Sequence, residues 1–207
     1  MNVQLFPTKG NLMIAKNSLA LARQGYGLMD KKRNILIHEL MGLIDQAKSI
    51  QSQIDATFSS AYAALQKANI ELGIHYVGEI SSSVPIEDGI EIKSRSIMGT
   101  EIPLVRYEPT PLSLTYAYYN TRESLDLARS QFEKVKQLTI RLSMVENAAY
   151  QLANSIRKTQ KRANALKNIT IPTYEAITKG ISDSLEEKER EEFTRLKVIK
   201  RTKLENG

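Results

Sequence analysis

The feature that most constrains this chain is a pair of apolar stripes at coiled-coil spacing, held apart by a short segment that reads as strands. The first stripe runs Leu12, Ala15, Leu19, Ala22, Tyr26, Met29, Leu36, Leu40, Leu43, Ala47, Ile50 and Ile54. The second runs Leu142, Val145, Ala149, Leu152, Ile156, Ala163 and Leu166. Steps of three and four alternate, which keeps one face of each helix turned to a partner. The middle segment is short in a chain of 207 residues, so the chain turns back and pairs its stripes antiparallel. The expected fold class is mainly α: a long antiparallel two-stranded coiled coil of the N- and C-terminal helices, with a small β-hairpin in the middle segment. Such a rod buries a thin seam and rarely holds a catalytic pocket.

Local signals set the boundaries. Pro7-Thr8 opens the first helix, with Thr8 as N-cap. A helix over 9–73 is roughly 95 Å long at about 1.5 Å per residue. That length without interior caps implies a coiled coil. Gly25, Gly27 and Gly42 each weaken it by about 1 kcal/mol relative to alanine. Gly25-Tyr26-Gly27 reads either as tolerated glycines or as a place where another chain approaches closely. Arg33 falls on the seam, where it needs a carboxylate across the pair or acts to fix register.

From Gly73 the pattern changes. Ile74-His75-Tyr76-Val77 is β-branched and aromatic, and 74–110 reads as β-hairpin and loops. Glu91–Ile97 and Glu101–Val105 alternate at period two, with Gly89 and Gly99 as punctuation, so a small sheet is expected at about 84–106. Pro103 suits an edge strand or a strand end. Pro109 and Pro111 mark the exit loop into a C-terminal arm over 113–201. The arm's phase slips near Leu138-Thr139-Ile140, as a stutter does. It is interrupted near Pro172, which reads as a kink or short break because the apolar face resumes at once. Tyr174, Ile177, Ile181 and Leu185 carry that face on, and Leu196 and Ile199 take it towards the end. The whole of 1–207 is expected to form one elongated domain.

Chemistry-bearing patterns are missing. The chain has no cysteine, which excludes disulfides and thiolate metal sites. His38 and His75 have no ligand at metal spacing. There is no phosphate-cradling loop and no nucleophile motif. No catalytic, cofactor-binding or metal residue is therefore expected. The N-terminus lacks the pattern of a signal peptide. No apolar run approaches the roughly 20 residues of a membrane span, so direct membrane insertion is not expected. Net charge is +6, with basic pairs at Lys31-Lys32, Arg157-Lys158, Lys161-Arg162 and Lys200-Arg201. Glu186–Glu192 alternates charges as a solvated or partner-facing helix does. No aromatics interleave with the cations, which argues against nucleic acid. A stand-alone coiled-coil scaffold or a basic nucleic-acid-binding arm is the competing reading.

Two stretches carry a resemblance. Ala22-Arg23-Gln24-Gly25-Tyr26-Gly27-Leu28-Met29-Asp30-Lys31-Lys32-Arg33 resembles the N-terminal signature of the D subunits of V-type and archaeal-type (V/A-type) rotary ATPases. Arg162-Ala163-Asn164-Ala165-Leu166, Ile171-Pro172, Leu185–Phe193 and Arg195-Leu196-Lys197 are similar to the C-terminal signature. Lys167 stands where an acidic residue is common, and Asn168 where an aromatic is usual. The resemblance implies a non-catalytic central-stalk (rotor) protein that transmits torque between the ATP-hydrolysing or ATP-synthesising ring and ion translocation. It implies partners: the catalytic A and regulatory B subunits, the small F subunit on the stalk, and a d/C-type subunit linking to the membrane ring. It implies a cytoplasmic setting, peripheral to the membrane, and no cofactor. The partner-contact candidates it points to are Arg23, Tyr26, Lys31, Lys32, Arg157, Arg162, Arg195, Lys197, Lys200 and Arg201. The F-type γ subunit has similar arms, but the roughly 40 residues outside the coil here are too few for its Rossmann-like domain.

Overall fold

Thr8 starts the first helix by accepting, on Oγ1, the backbone N–H of Asn11 at 3.2 Å. From there helix α1 spans Lys9–Leu72 in a computed structural model that describes residues 6–86, 88–107 and 116–205. Helix α2 (Ile74–Ser82), strands β1 (Ile90–Ile97) and β2 (Thr100–Tyr107), and helix α3 (Glu123–Ala165) follow. A π-helical turn over Leu166–Thr170 leads into helix α4 (Ile171–Glu205). The exit loop expected at Pro109 and Pro111 lies outside the described residues. The chain divides into two compact units, one of Met1–Asn34 with Arg157–Gly207 and one of Ile35–Ile156.

In the second unit, α1 from Ile35 onward runs antiparallel to α3. Tyr62 meets Phe132 edge-to-face at 5.6 Å, and Ser124 Oγ donates to Glu71 Oε2 at 2.6 Å. The expected seam is the buried one. Leu36 and Leu152 are fully enclosed, while Ile54, Ala61, Ala68, Ala128, Val135 and Val145 are buried along it. Gly73, at φ +88°, ends α1 in a conformation that side chains disfavour, and α2 begins at the next residue. Val77 and Ile80 of α2 then pack on Ala68 and Leu125.

The strand-like reading of Ile74–Val77 is corrected here, since these residues are helical. Burying Val77 and Ile80, three residues apart on one helix face, outweighs the β preference of Ile, Tyr and Val. The hairpin accordingly begins at Ile90 rather than near 84. Its strands pair antiparallel from Ile90↔Tyr107 to Ile97↔Thr100. The connecting Met98 and Gly99 both have positive φ (49° and 73°), as the right-handed strand twist demands of a two-residue turn. Ile102 is buried, and the hairpin is tied to α3 at both ends. Thr100 Oγ1 hydrogen-bonds Ser155 Oγ at 2.7 Å, and the Tyr107 hydroxyl donates to Glu133 Oε1 at 2.9 Å.

In the first unit the pairing is again antiparallel. Lys9 meets Glu189 at 3.0 Å, Arg23 meets Glu175 at 2.7 Å, and Arg33 donates to Gln160 at 2.9 Å. Ala15, Ala22, Ala163 and Ile181 are buried between the helices. Proline at 172 has no N–H, and its ring crowds the carbonyl four residues back in a regular helix. The π turn removes that conflict by inserting a residue, with the Ile171 N–H bonding the carbonyl of Leu166. The expectation that Leu196 and Ile199 continue the seam is corrected. They are 65% and 56% exposed, and every residue from Glu186 to Leu204 is exposed. The reason is length: α1 begins at Lys9, already level with Glu189, so no described helical residue lies opposite 190–204.

Candidate functional site

The candidate site is built on the level where Arg33 crosses the seam of the first unit. Heptad spacing puts Arg33 on the same stripe as Tyr26 and Leu40, among residues that bury. Its side chain is 26% exposed, and its Nε and Nη2 donate to the neighbouring Asn34 Oδ1 at 3.4 and 3.1 Å. Nη2 pairs with Asp30 Oδ1 at 2.6 Å, one turn earlier on α1. Nη1 donates to Gln160 Oε1 at 2.9 Å across the seam. Gln160 Nε2 in turn donates to Asn164 Oδ1 at 2.8 Å. The carboxylate expected across the seam is thus corrected to one on the same helix, and a neutral amide is the partner across. Thr159, next to Gln160, is a buried polar seam residue at 5% exposure.

A belt of cations surrounds this polar level. Lys31 and Lys32 flank Arg33 on α1, and Arg157, Lys158, Lys161 and Arg162 flank Gln160 on α3. None of these six forms an ion pair with a described carboxylate. Asp30 is the one acid in Lys9–Asn34, and it is committed to Arg33. No acid occurs between Arg157 and Tyr174. Uncompensated charge at this density attracts an anionic surface over about a Debye length of 8–10 Å. Each exposed contact is worth about 0–1 kcal/mol, so the belt steers and orients more than it locks.

The other expected contact residues fall elsewhere. Arg23 is tied to Glu175, and Tyr26 sits half-buried in the seam with Lys167 Nζ 6.0 Å from its ring centroid. Both therefore support the pair itself. Gly25 faces Leu166 of the same chain, and a Cβ there meets it at an ordinary 3.7 Å. Arg195, Lys197, Lys200 and Arg201 lie on the exposed end of α4, remote in sequence from the belt and interleaved with exposed Phe193, Leu196, Val198 and Ile199.

One surface was missed in the sequence. Ile14, Leu21 and Leu28, joined by Met13, are 60–68% exposed on the outward side of α1. Ala20 and Gly27 share that side, and a Cβ at Gly27 meets nothing within 4 Å. The seven-residue spacing of 14, 21 and 28 was readable, but it was overshadowed by the stronger seam beside it. Outward helix faces in water are normally charged, and an apolar one marks a contact surface. The second unit holds a cleft of about 690 Å³ floored by Leu65, Ile80, Leu125 and Phe132. No group of three or more metal-ligating side chains gathers among the described residues, and no described helix is long and apolar enough to cross a membrane.

Comparison with known proteins matches residues 11–201 to the family of ATP synthase D subunits. The D subunit of a V-type ATP synthase from Thermotoga neapolitana is 44% identical over 194 residues, covering 94% of this chain and 96% of the relative. The D subunit of an A-type ATP synthase from Thermococcus kodakarensis is 36% identical over 197 residues, covering 94% and 92%. Its counterpart from Pyrococcus abyssi is 35% identical over 201 residues, covering 96% and 94%.

Proposed function

The chain belongs to the family of ATP synthase D subunits, and we propose that it is the non-catalytic axle of a V/A-type rotary ATPase. It passes torque between ATP hydrolysis or synthesis in the catalytic ring and ion translocation at the membrane. The observation that carries this reading beyond family membership is surface chemistry. The belt around Arg33, the apolar outward strip at 13–28 and the exposed end of α4 are three contact surfaces on one unit, and none is a reactive site. The belt and strip face the catalytic A and regulatory B subunits. The small F subunit and the d/C-type linker take surfaces of the second unit. The chain works on the cytoplasmic side, peripheral to the membrane, with no nucleic acid and no insertion of its own.

Reassembly of the complex around this chain tests the reading. Reversing Lys31, Arg157 and Arg162 to Glu should leave helicity intact and lower the ions pumped per ATP hydrolysed. ATP turnover by the isolated chain, abolished by a point mutation within it, would overturn the proposal.

A further inference from the structure

We propose that the arm formed by α3 and α4 carries one residue too many for its seam, and that the π turn at Leu166–Thr170 absorbs it and so keeps the seam in phase. This concerns the chain alone and does not depend on the torque reading. Up to the turn, one row of the seam repeats every seven residues. Val145, Leu152 and Thr159 are buried, and Leu166 is half-buried. The next members at that spacing, Thr173 and Gly180, are exposed. The row resumes one residue late instead, at half-buried Tyr174 and at Ile181, which is 5% exposed. Leu166 to Tyr174 is therefore a step of eight, and Tyr174 to Ile181 is a step of seven again.

Helix geometry accounts for the eight. A seven-residue step on a regular α-helix falls about 20° short of two full turns, and supercoiling takes that up. An eight-residue step overshoots by about 80°, which would turn Tyr174 and Ile181 off the seam. A π turn spends one extra residue on a single turn and takes back about 100°, so Tyr174 falls where the next seam residue belongs. The bond from the Ile171 N–H to the carbonyl of Leu166 closes that wide turn. A hydroxyl marks it independently: Thr170 Oγ1 donates five residues back, to the Ala165 carbonyl at 3.4 Å, whereas Thr139, Thr178 and Thr194 donate four back. The same phase brings Glu175 to Arg23 and Glu189 to Lys9. Pro172 sets where the extra residue sits. An inserted residue leaves helix groups without their regular partners, and a residue with no N–H just beyond it leaves one donor fewer unpaired. The proline thus fixes the place of the turn, and the phase of the seam is why there is a turn at all.

The absence of native cysteine makes the phase directly readable. Gly180→Cys, where a Cβ meets nothing within 4 Å, and Ile181→Cys are made singly in the full chain and labelled with a maleimide. The thiol at 181 should react about tenfold more slowly than the thiol at 180, since it must wait for local opening. With Pro172→Ala added, the same order should hold, because the seam still demands the extra residue's turn. Deleting exposed Asn168 in the Pro172→Ala background removes the surplus residue. The labelling order should again hold, and the melting temperature should equal or exceed that of Pro172→Ala alone. Inserting an alanine after Asn168 in the same background adds a second surplus residue and should lower the melting temperature. Reversal of the labelling order by Pro172→Ala would show that the proline alone causes the turn, and would overturn the proposal. A deletion that melts below Pro172→Ala, or an insertion that melts with it, would overturn it equally.

Discussion

At the scale of single residues, burial separates positions that look equivalent in the sequence. Leu36 and Leu196 both sit on an apolar helical stripe, yet Leu36 is fully enclosed and Leu196 is 65% exposed. Truncating a buried leucine loses its transfer free energy and leaves a cavity, so Leu36→Ala should cost about 2–5 kcal/mol. Leu196→Ala should change stability by about 0.5 kcal/mol or less. Urea unfolding followed by circular dichroism checks both, and a comparable loss at the two positions would mean that the end of α4 packs on the chain. Arg33 shows the converse case. Its place on the seam was legible from spacing alone, but its partners were not. Nothing local distinguishes Gln160 from other polar residues until the arms are aligned, and Asp30 looks like one member of an ordinary charged cluster.

At the scale of elements, the long helices were legible because their periodicity extends over many turns. All twelve positions of the first stripe are buried or half-buried, and so are the seven of the second. Short elements were less legible. Ile74–Ser82 carries β-preferring residues, and only packing against Ala68 and Leu125 makes it helical. The hairpin was found from alternation and Gly99, although its outer strand is almost wholly exposed. What holds it is a pair of contacts with α3 that no strand pattern reports. Burial and the hydrogen bond to Glu133 raise the pKa of Tyr107 above its ordinary 10.0. The neutral phenol is thus the form the fold favours. Its contribution is fully present below pH 10.0 and is lost as pH rises through the elevated folded value. Hydrogen exchange at β2 should accelerate in that alkaline window. In Tyr107→Phe it should be faster already at neutral pH and gain no such alkaline step. An alkaline step of equal size in both proteins would show that Tyr107 does not anchor the hairpin.

At the scale of the whole molecule, family membership was legible from two terminal signatures and the six cations of the belt from their basic pairs, whereas their gathering at one level was not. That gathering emerges only when α1 and α3 are set side by side at Arg33 and Gln160. The end of α4 poses the sharpest question. Residues 194–204 bring no buried side chain to the chain itself, yet they expose Leu196, Val198, Ile199 and Leu204 among Arg195, Lys197, Lys200 and Arg201. Apolar residues kept exposed at this density mark a surface that a partner covers. Removing 194–207 should therefore leave the melting temperature of the isolated chain nearly unchanged, because the seam keeps all its buried residues. In the reassembled complex the same truncation should weaken association with the catalytic ring and lower ion pumping per ATP. A drop in the chain's own melting temperature would show that the end packs internally. Full pumping per ATP with unchanged assembly would place the ring contact on the belt and the outward face of α1 instead.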